Sequence, residues 1–298
     1  MKSLKIRGVI VPMFTPFTAD GALDVDAIGP LVDFLIERGI AGLFPLGTNG
    51  EGPLLTTEER QIAAKKVVEA TRGRVPVILH TGAITTSETV TLSRHAQEIG
   101  ADGVAIIPPY FFKLTDEALF DHVAKVAQAV PDLSVYLYNN PGVTPNILST
   151  EMVFRLAESF ANITGLKDSA PSLATLYASR HLRGGSFNTA SGPDGMIFAS
   201  QAIGIDACVA GHANFVPELV VSLQAAAQAG DLVRARELQD KLDNVRRIMA
   251  DGSDLSLFKA MCTKRGVPIG DVRPPLRPTA REKIETAWEG LLSAGVIP

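Results

Sequence analysis

The sequence has few cysteines: Cys208 and Cys262 are the only two in 298 residues, and they lie far apart. They provide neither a disulfide framework nor a pair with metal-ligand spacing. No uninterrupted apolar run reaches the about 18 residues that a membrane-spanning helix needs. The 28 basic and 32 acidic residues give a net charge of −4, which favours neither nucleic acid nor an anionic membrane as a partner.

Metal-binding and targeting signals are missing as well. The five histidines show neither HxxxH nor HxH spacing, so we expect no metal site. The first residues carry positive charge, but Gly8 and Pro12 interrupt the apolar run that follows, so we expect no signal peptide. These absences together predict a soluble, reduced, cytoplasmic protein.

Short β-like runs alternate with amphipathic helical patterns along most of the chain. Eight of these runs are nearly all apolar, as expected of strands that are covered on both faces. They are residues 8–14, 42–47, 75–82, 103–109, 134–141, 163–169, 187–192 and 206–211. Eight strand–helix units in series predict a parallel (β/α)8 barrel, the TIM barrel of the α/β class. A doubly wound open sheet is the alternative, but no glycine-rich phosphate-binding turn follows the first run.

The strand pattern stops after residue 229. Residues 230–298 show only helical patterns, with a proline-rich break at 272–278. We therefore predict a catalytic barrel over residues 1–229 and a helical C-terminal region over residues 230–298 that packs on it. In such barrels the active site lies where the strands end and the next loops begin. Reactive residues at those ends are the candidates for chemistry.

Lys167 ends the sixth predicted strand, in the stretch ITGLKDS. Apolar surroundings disfavour an ammonium group and leave some neutral amine. A neutral amine attacks a ketone and forms a Schiff base, which withdraws electrons from the neighbouring bonds. The alternative is a structural lysine that pairs with Asp168 or Glu51.

Three other strand ends carry polar candidates. Tyr138 ends the fifth strand, and adjacent strands lie about 5 Å apart, so its phenol could reach Lys167 on the sixth. It is either an acid or base beside Lys167 or a core tyrosine with a satisfied hydroxyl. The turn GTNGE at 47–51 has N–H groups that can hold a carboxylate, although glycine turns are common. Within it, Glu51 is interpreted as a hydrogen-bond acceptor for its own loop. His212, after the eighth strand, is interpreted as a hydrogen-bonded rim histidine rather than a catalytic one.

Taken in order, the stretches GTNGE, PPYF, YNNP, GLKDS, SGPD and GHANFVPE resemble the family of N-acetylneuraminate lyase and dihydrodipicolinate synthase. The resemblance covers nearly the whole chain. It implies a (β/α)8 barrel with a helical tail, and a lysine Schiff base with pyruvate or another 2-oxo acid. It also implies chemistry without a metal or an organic cofactor, and a homotetramer built as a dimer of dimers.

The resemblance also implies roles for individual residues. Lys167 matches the Schiff-base lysine, and Tyr138 matches the tyrosine that assists proton transfer. Thr48 and Asn49 match the pair that binds the carboxylate of the 2-oxo acid, and Thr48 is also a candidate for the proton transfer. The other matches are substrate-binding positions: Gly192, Asp194 for substrate hydroxyls, the backbone carbonyl of Val209, and Tyr110.

The sequence departs from the family pattern at three places. Asn49 stands where a threonine is commoner, so one hydroxyl is lost. Val143 stands where the dihydrodipicolinate synthases carry an arginine for the carboxylate of the aldehyde substrate. Phe111 stands where they carry a tyrosine that reaches the neighbouring subunit's site. Because an unpaired carboxylate facing Val143 would bind poorly, we do not expect lysine-pathway synthesis to be the main activity.

The sequence therefore predicts a class I, metal-independent aldolase or lyase that acts on a 2-oxo acid. The first expected reaction is cleavage of a 2-keto-3-deoxy sugar acid to pyruvate and an aldehyde. The alternatives are a dehydratase on a related sugar acid and dihydrodipicolinate (4-hydroxy-tetrahydrodipicolinate) synthase. An alternative from another class is a barrel that binds a 2-oxo acid without turnover. A further alternative is a phosphate-binding barrel enzyme that holds the anion at SGPDG, residues 191–195.

Overall fold

The computed structural model describes residues 4–252 and 254–297. Within these residues eight parallel strands form one sheet in the order β2-β1-β8-β7-β6-β5-β4-β3. The strands are β1 Gly8–Val11, β2 Gly42–Leu43, β3 Ile78–His80, β4 Gly103–Ile106, β5 Ser134–Asn139, β6 Ile163–Asp168, β7 Asn188–Ser191 and β8 Ala207–Val209. A parallel bridge between Leu43 and Val77 joins β2 to β3. The sheet is therefore a nearly closed barrel, and the predicted (β/α)8 fold is confirmed.

Helices alternate with the strands and then continue alone. Those between and after the strands are α1 Ile28–Ile36, α2 Thr57–Thr71, α3 Thr86–Glu98, α4 Asp116–Ala129, α5 Thr150–Ser159, α6 Ala174–Ser179, α7 Ile197–Ala202 and α8 Pro217–Gln228. The C-terminal helices are α9 Leu232–Ile248, α10 Leu255–Lys264 and α11 Arg281–Ser293. The predicted boundary at residue 229 falls between α8 and α9, which pack against each other. The division into two domains stays a prediction.

The apolar residues form two layers because successive strand residues point to opposite faces of the sheet. One layer fills the barrel and includes Ile10, Ile78 and Tyr136. The other lies between the strands and the surrounding helices and includes Val104 and Leu137. Coverage on both faces explains why the strands read as nearly continuous apolar runs.

Tyr136 fills the barrel near the amino-terminal ends of the strands. Its hydroxyl oxygen lies 2.8 Å from the Leu4 carbonyl oxygen and 2.9 Å from Asn188 Oδ1, and its single proton can be donated to either acceptor. The facing position on β6 is Gly165, where a Cβ atom would lie 2.4 Å from the Tyr136 ring. Only glycine fits beside this ring, and the opposite, carboxyl end of the barrel is where a cavity opens.

The strand at the second predicted run is shorter than expected. The run at 42–47 forms a strand only at Gly42–Leu43. Leu46 adopts a left-handed conformation, with φ of 65°, and the chain turns away from the sheet there. This early turn forms the loop that carries Thr48 and Asn49.

Candidate active site

Lys167 lies inside the barrel at the end of β6 because of two features of the sequence. The alternation along β6 turns Gly165 and Lys167 to the interior. The parallel register then places Lys167 opposite Tyr138 of β5. The Nζ atom lies 3.9 Å from the centre of the Tyr138 ring and 4.3 Å from that of Phe44. Lys167 is only 5% exposed, so its amine sits against aromatic rings rather than in water.

The surroundings of Lys167 favour the neutral amine. Burial lowers its pKa, an effect that Tyr138 and Asp194 oppose only in part. Neither acid considered as its partner pairs with it. Asp168 accepts from Asn139 Nδ2 and from the Ala170 N–H, both at 2.9 Å, and Glu51 pairs elsewhere. The alternative of a structural ion pair with Asp168 or Glu51 therefore finds no support in the structure.

Tyr138 presents its hydroxyl to polar groups at the end of the barrel. Its oxygen lies 3.2 Å from Thr48 Oγ1 and accepts from Asn140 Nδ2 at 2.9 Å. Burial acts to raise the pKa of Tyr138, but the positive charge that Lys167 carries when it is protonated and the hydrogen bonds from Thr48, Asn140 and Lys167 outweigh it and hold the pKa below its ordinary value. A phenol in this state can take and return a proton.

The turn after β2 has the shape of an anion-binding site. Gly52 packs so closely that a Cβ atom there would lie 2.0 Å from the Leu46 carbonyl oxygen. Glu51, like Leu46, is left-handed, with φ of 53°. Among the described residues, the N–H groups of Thr48 and Asn49 donate to no protein acceptor. Both residues line the cavity that holds Lys167, so these N–H groups are available for a bound carboxylate.

Glu51 has a structural role, but its carboxylate anchors this turn to the C-terminal region and does not accept from its own loop as predicted. Its carboxylate pairs with Lys259 Nζ of α10 at 3.0 Å, and both side chains are fully buried. The ammonium also donates to the carbonyls of Thr15 at 2.9 Å and Asp271 at 2.7 Å. The second Glu51 oxygen accepts from the Arg273 N–H at 2.8 Å. The loop that holds Thr48 thus depends on residues more than 200 positions away.

Arg273 strengthens the same attachment. Its guanidinium donates to both oxygens of Glu59 on α2, at 2.8 and 2.5 Å. These hydrogen bonds hold the pKa of Glu59 at about 2. The segment between α10 and α11 is therefore bonded both to the turn after β2 and to the helix that follows it.

Asp194 is placed at the cavity, but its carboxylate is already engaged. It accepts from the N–H groups of Gly211 at 3.1 Å and His212 at 2.9 Å, and it also bonds to His212 Nδ1. Its predicted contact with substrate hydroxyls would have to share these bonds. Because the Asp194 carboxylate belongs to the SGPDG stretch itself, its negative charge would repel a phosphate held there, and the phosphate-binding alternative loses support.

His212 is hydrogen-bonded, as predicted, but it does not lie on the rim. It is 3% exposed and packs with its ring centre 4.8 Å from that of Phe258 and 5.9 Å from that of Phe215. Its ring also lines the cavity. The pair with Asp194 ties the loop after β7 to the loop after β8.

The remaining predicted residues divide into those at the cavity and one outside it. Gly192 and Val209 line the cavity, and a Cβ atom on Gly192 would lie 2.1 Å from Ser169 Oγ. Tyr110 does not reach this cavity. The chain leaves the sheet after Ile106, and Tyr110 lines a separate depression together with Phe112 and His122. The structure of one chain therefore does not bring Tyr110 to Lys167.

The cavity has a volume of about 390 Å³. The C-terminal region contributes Arg246, Gly252 and Phe258 to its wall, and the sequence analysis missed all three. Arg246 projects from α9 and donates to Asp243 at 2.7 Å. Gly195 lets it approach, since a Cβ atom there would lie 2.2 Å from Arg246 Nη1. No strand end or motif marks these positions in the sequence.

The described residues offer neither a metal-binding cluster nor a membrane-spanning helix. In the part of the chain that the structure covers, no three His, Cys, Asp or Glu side chains are grouped so that they could hold a metal ion. None of the described helices is long and apolar enough to cross a membrane. The cytoplasmic location stays a prediction.

Comparisons with known proteins agree with this geometry. The family model described as the dihydrodipicolinate synthetase family matches residues 5–294. A 4-hydroxy-tetrahydrodipicolinate synthase of Gluconacetobacter diazotrophicus is 35% identical over 298 residues, which cover 100% of both chains. A probable 2-dehydro-3-deoxy-D-pentonate aldolase of Escherichia coli (strain K12) is 36% identical over 299 residues, with 99% of each chain covered.

A solved structure of a member of the same family is also similar to this chain. It is YagE from Escherichia coli K12, a prophage protein belonging to the dihydrodipicolinic acid synthase family, in complex with pyruvate. It superposes with a TM-score of 0.91 at 34% identity, and the match covers 98% of this chain and 99% of the other.

We predict that Lys259→Met destabilises the protein by about 3–5 kcal/mol, because it leaves the Glu51 carboxylate buried without its counter-charge. Urea unfolding followed by circular dichroism measures the change. The double variant Glu51→Gln/Lys259→Met should recover part of the loss, since it removes both charges.

Lys264→Met is the matched control on the same helix. Lys264 forms a more exposed pair with Glu285 at 2.6 Å, so its loss should cost about 0–1 kcal/mol. Equal effects of the two lysine substitutions would contradict the role given to Lys259.

Proposed function

Because the chain belongs to the dihydrodipicolinate synthetase family, we propose that it is a class I lyase that cleaves a 2-keto-3-deoxy sugar acid to pyruvate and an aldehyde through a Schiff base on Lys167. The observation that carries the proposal is the pairing of this buried lysine with the hydrogen-bonded phenol of Tyr138 on the adjacent strand. A relative named as a pentonate aldolase and a neighbour with bound pyruvate support a 2-oxo acid as the substrate.

The reaction begins at the keto group of the substrate. The neutral amine of Lys167 adds to the C2 carbonyl, and the resulting carbinolamine loses water to give an iminium ion. The buried position of Lys167 supports this step, because the lowered pKa supplies the unprotonated nucleophile.

Cleavage then breaks the bond between C3 and C4. The Tyr138 oxygen takes the proton of the C4 hydroxyl, the C3–C4 electron pair moves toward the iminium nitrogen, and the aldehyde leaves. The enamine that remains is protonated at C3, and water releases pyruvate and regenerates Lys167. Tyr138 returns its proton in this sequence, with Thr48 as its hydrogen-bonding partner.

The turn after β2 is proposed to hold the carboxylate of the substrate. The N–H groups of Thr48 and Asn49 that lack a protein acceptor support this role. Asn49 can also donate from its side-chain amide, in place of the hydroxyl that is commoner in the family. Gly192 and the Val209 carbonyl are proposed to contact the bound substrate near the lysine, since both line the cavity.

The other end of the cavity favours an uncharged, hydroxyl-bearing aldehyde part. Arg246 brings positive charge there, but it is paired with an aspartate of its own helix, and the Asp194 carboxylate lies in the same wall. Val143 is 44% exposed and is not part of the wall. Ser169 lines the cavity and offers hydrogen bonds to hydroxyl groups.

A panel of 2-keto-3-deoxy sugar acids tests the proposal. We expect pyruvate release from at least one of them with kcat/KM about 100-fold above that for condensation of pyruvate with aspartate semialdehyde, since an unpaired charge in the cavity costs several kcal/mol. Lys167→Ala should abolish the reaction, and borohydride should trap pyruvate on the wild type but not on this variant. A coupled assay for pyruvate and intact-mass measurement provide the readouts.

The outcomes separate the alternatives. Faster condensation than cleavage would contradict the proposal and favour the synthase. A dehydrated 2-oxo acid as the product would identify a dehydratase instead. Trapping of pyruvate without turnover of any sugar acid would favour a 2-oxo acid binding protein, and the absence of trapping would overturn the Schiff base.

The protein is further proposed to form a homotetramer, a dimer of dimers. Phe111 and Phe112 support an interface, because they are 81% and 64% exposed and stack edge to face with ring centres 5.0 Å apart. Adjacent exposed aromatic side chains of this size are typical of surfaces that a partner covers. Phe111 also has a left-handed backbone, with φ of 87°, which is costly for an aromatic residue without compensating contacts.

We expect light scattering of the purified protein to give the mass of a tetramer. The double substitution Phe111→Ser/Phe112→Ser should produce a smaller species, because it removes the apolar contact. A monomeric wild type would contradict the proposal, and Val233→Ser, which changes an exposed valine (68%) on α9, serves as the control.

A further inference from the structure

The phenol of Tyr138 has a hydrogen-bond donor that the proposed reaction does not yet use. Asn140 follows β5 by one residue and places Nδ2 2.9 Å from the Tyr138 oxygen. It lines the same cavity. Asn140 therefore contacts the Tyr138 oxygen, the atom that is proposed to take the proton of the substrate hydroxyl.

The orientation of the Asn140 amide is fixed by its own loop. Asn140 Oδ1 accepts from the Gly142 N–H at 3.2 Å, the hydrogen bond of an Asx turn. Asn140 also accepts at its backbone carbonyl from the Val143 N–H at 3.2 Å. Because the amide oxygen is engaged by an N–H donor, the amide nitrogen must be the atom that faces Tyr138. A flipped amide would lose both hydrogen bonds.

A donor at this place acts on the two protonation states of the phenol differently. An N–H group stabilises a phenolate oxygen more strongly than a neutral hydroxyl. If the phenol is neutral, its single proton is directed away from Asn140, toward Thr48 Oγ1 at 3.2 Å or toward the neutral amine of Lys167. In both states Asn140 prepares the oxygen to accept a proton rather than to donate one along the strand.

We propose that Asn140 is a positioning residue, which holds the Tyr138 oxygen as a hydrogen-bond acceptor and so prepares it to take the proton of the substrate hydroxyl. The catalytic part of this inference rests on the proposed function. The effect of Asn140 on the titration of Tyr138 is independent of it.

Other titratable groups lie near the phenol on the neighbouring strands and loops. Lys167 faces it from β6, and His80 of β3 packs with its ring centre 5.7 Å from that of Tyr138. Asp194, beyond β7, interacts with Lys167. Burial lowers the pKa of His80 well below its ordinary value, so His80 is neutral while Tyr138 titrates.

Two substitutions distinguish the hydrogen bond that Asn140 donates to Tyr138 from the one that it accepts from Gly142. Asn140→Ala removes both hydrogen bonds. Asn140→Asp retains an oxygen for the Gly142 N–H but replaces the donor with a carboxylate oxygen, and it has nearly the same shape. Ile147→Ala is the control, since Ile147 lies on the same loop, is 57% exposed and is not part of the cavity wall.

The first readout is direct titration of the phenol by ultraviolet difference absorption. Tyr138→Phe serves as the reference, because subtracting its titration curve removes the signal of the other tyrosines. We expect the apparent pKa of Tyr138 to rise by about one in Asn140→Ala and by more in Asn140→Asp, since the latter adds a negative charge. The Ile147→Ala variant should titrate like the wild type. Unchanged titration in both Asn140 variants would overturn the inference.

The second readout is the pH profile of kcat on a cleaved sugar acid. We expect kcat near neutral pH to fall about tenfold in Asn140→Ala and to recover as the pH rises, with KM changed about twofold or less. A uniform loss at every pH would indicate a structural role and contradict the proposal. If the wild type fails to trap pyruvate, the proposed function fails, while the phenol titration still decides the role of Asn140.

Discussion

Burial of an amine inside an apolar barrel is the constraint on which the rest of the structure depends. An ammonium group without a counter-charge is costly in such a place. Asp168 and Glu51, the two acids considered as its ion-pair partners, are bonded to other groups. The barrel therefore favours the neutral form of Lys167, and the aromatic rings of Phe44 and Tyr138 lie against its amine. The Schiff-base chemistry proposed here is a consequence of that burial.

The groups that would act with Lys167 are carried on loops, and buried charges hold those loops in place. Glu51 and Lys259 join the turn after β2 to α10, and Asp194 and His212 join the loops after β7 and β8. The first of these pairs makes the C-terminal region necessary for the position of Thr48. The helices after the barrel are therefore part of the site, since they also contribute Arg246 and Phe258 to its wall.

The sequence predicted what depends on local pattern. Nearly continuous apolar runs revealed the strands, and the ends of those strands gave Lys167, Tyr138 and the turn at Thr48. It did not predict contacts that depend on long-range packing. The engagement of Asp194 by His212 joins two loops whose approach no local pattern encodes, and Arg246 reaches the cavity from a helix. Tyr110 was expected at the site from the family resemblance, but the chain leaves the sheet after Ile106 and Tyr110 lines a separate depression.

The most direct test of the central claim is the ionisation of Lys167 in the folded protein. The rate of imine formation with pyruvate, measured from pH 6 to 11 by rapid borohydride quenching, gives the apparent pKa of the attacking amine. The account predicts a value clearly below the about 10.4 of an unperturbed lysine, and a still lower value in Tyr138→Phe, because Tyr138 partly opposes the effect of burial. An apparent pKa at or above that of a free lysine would contradict the account.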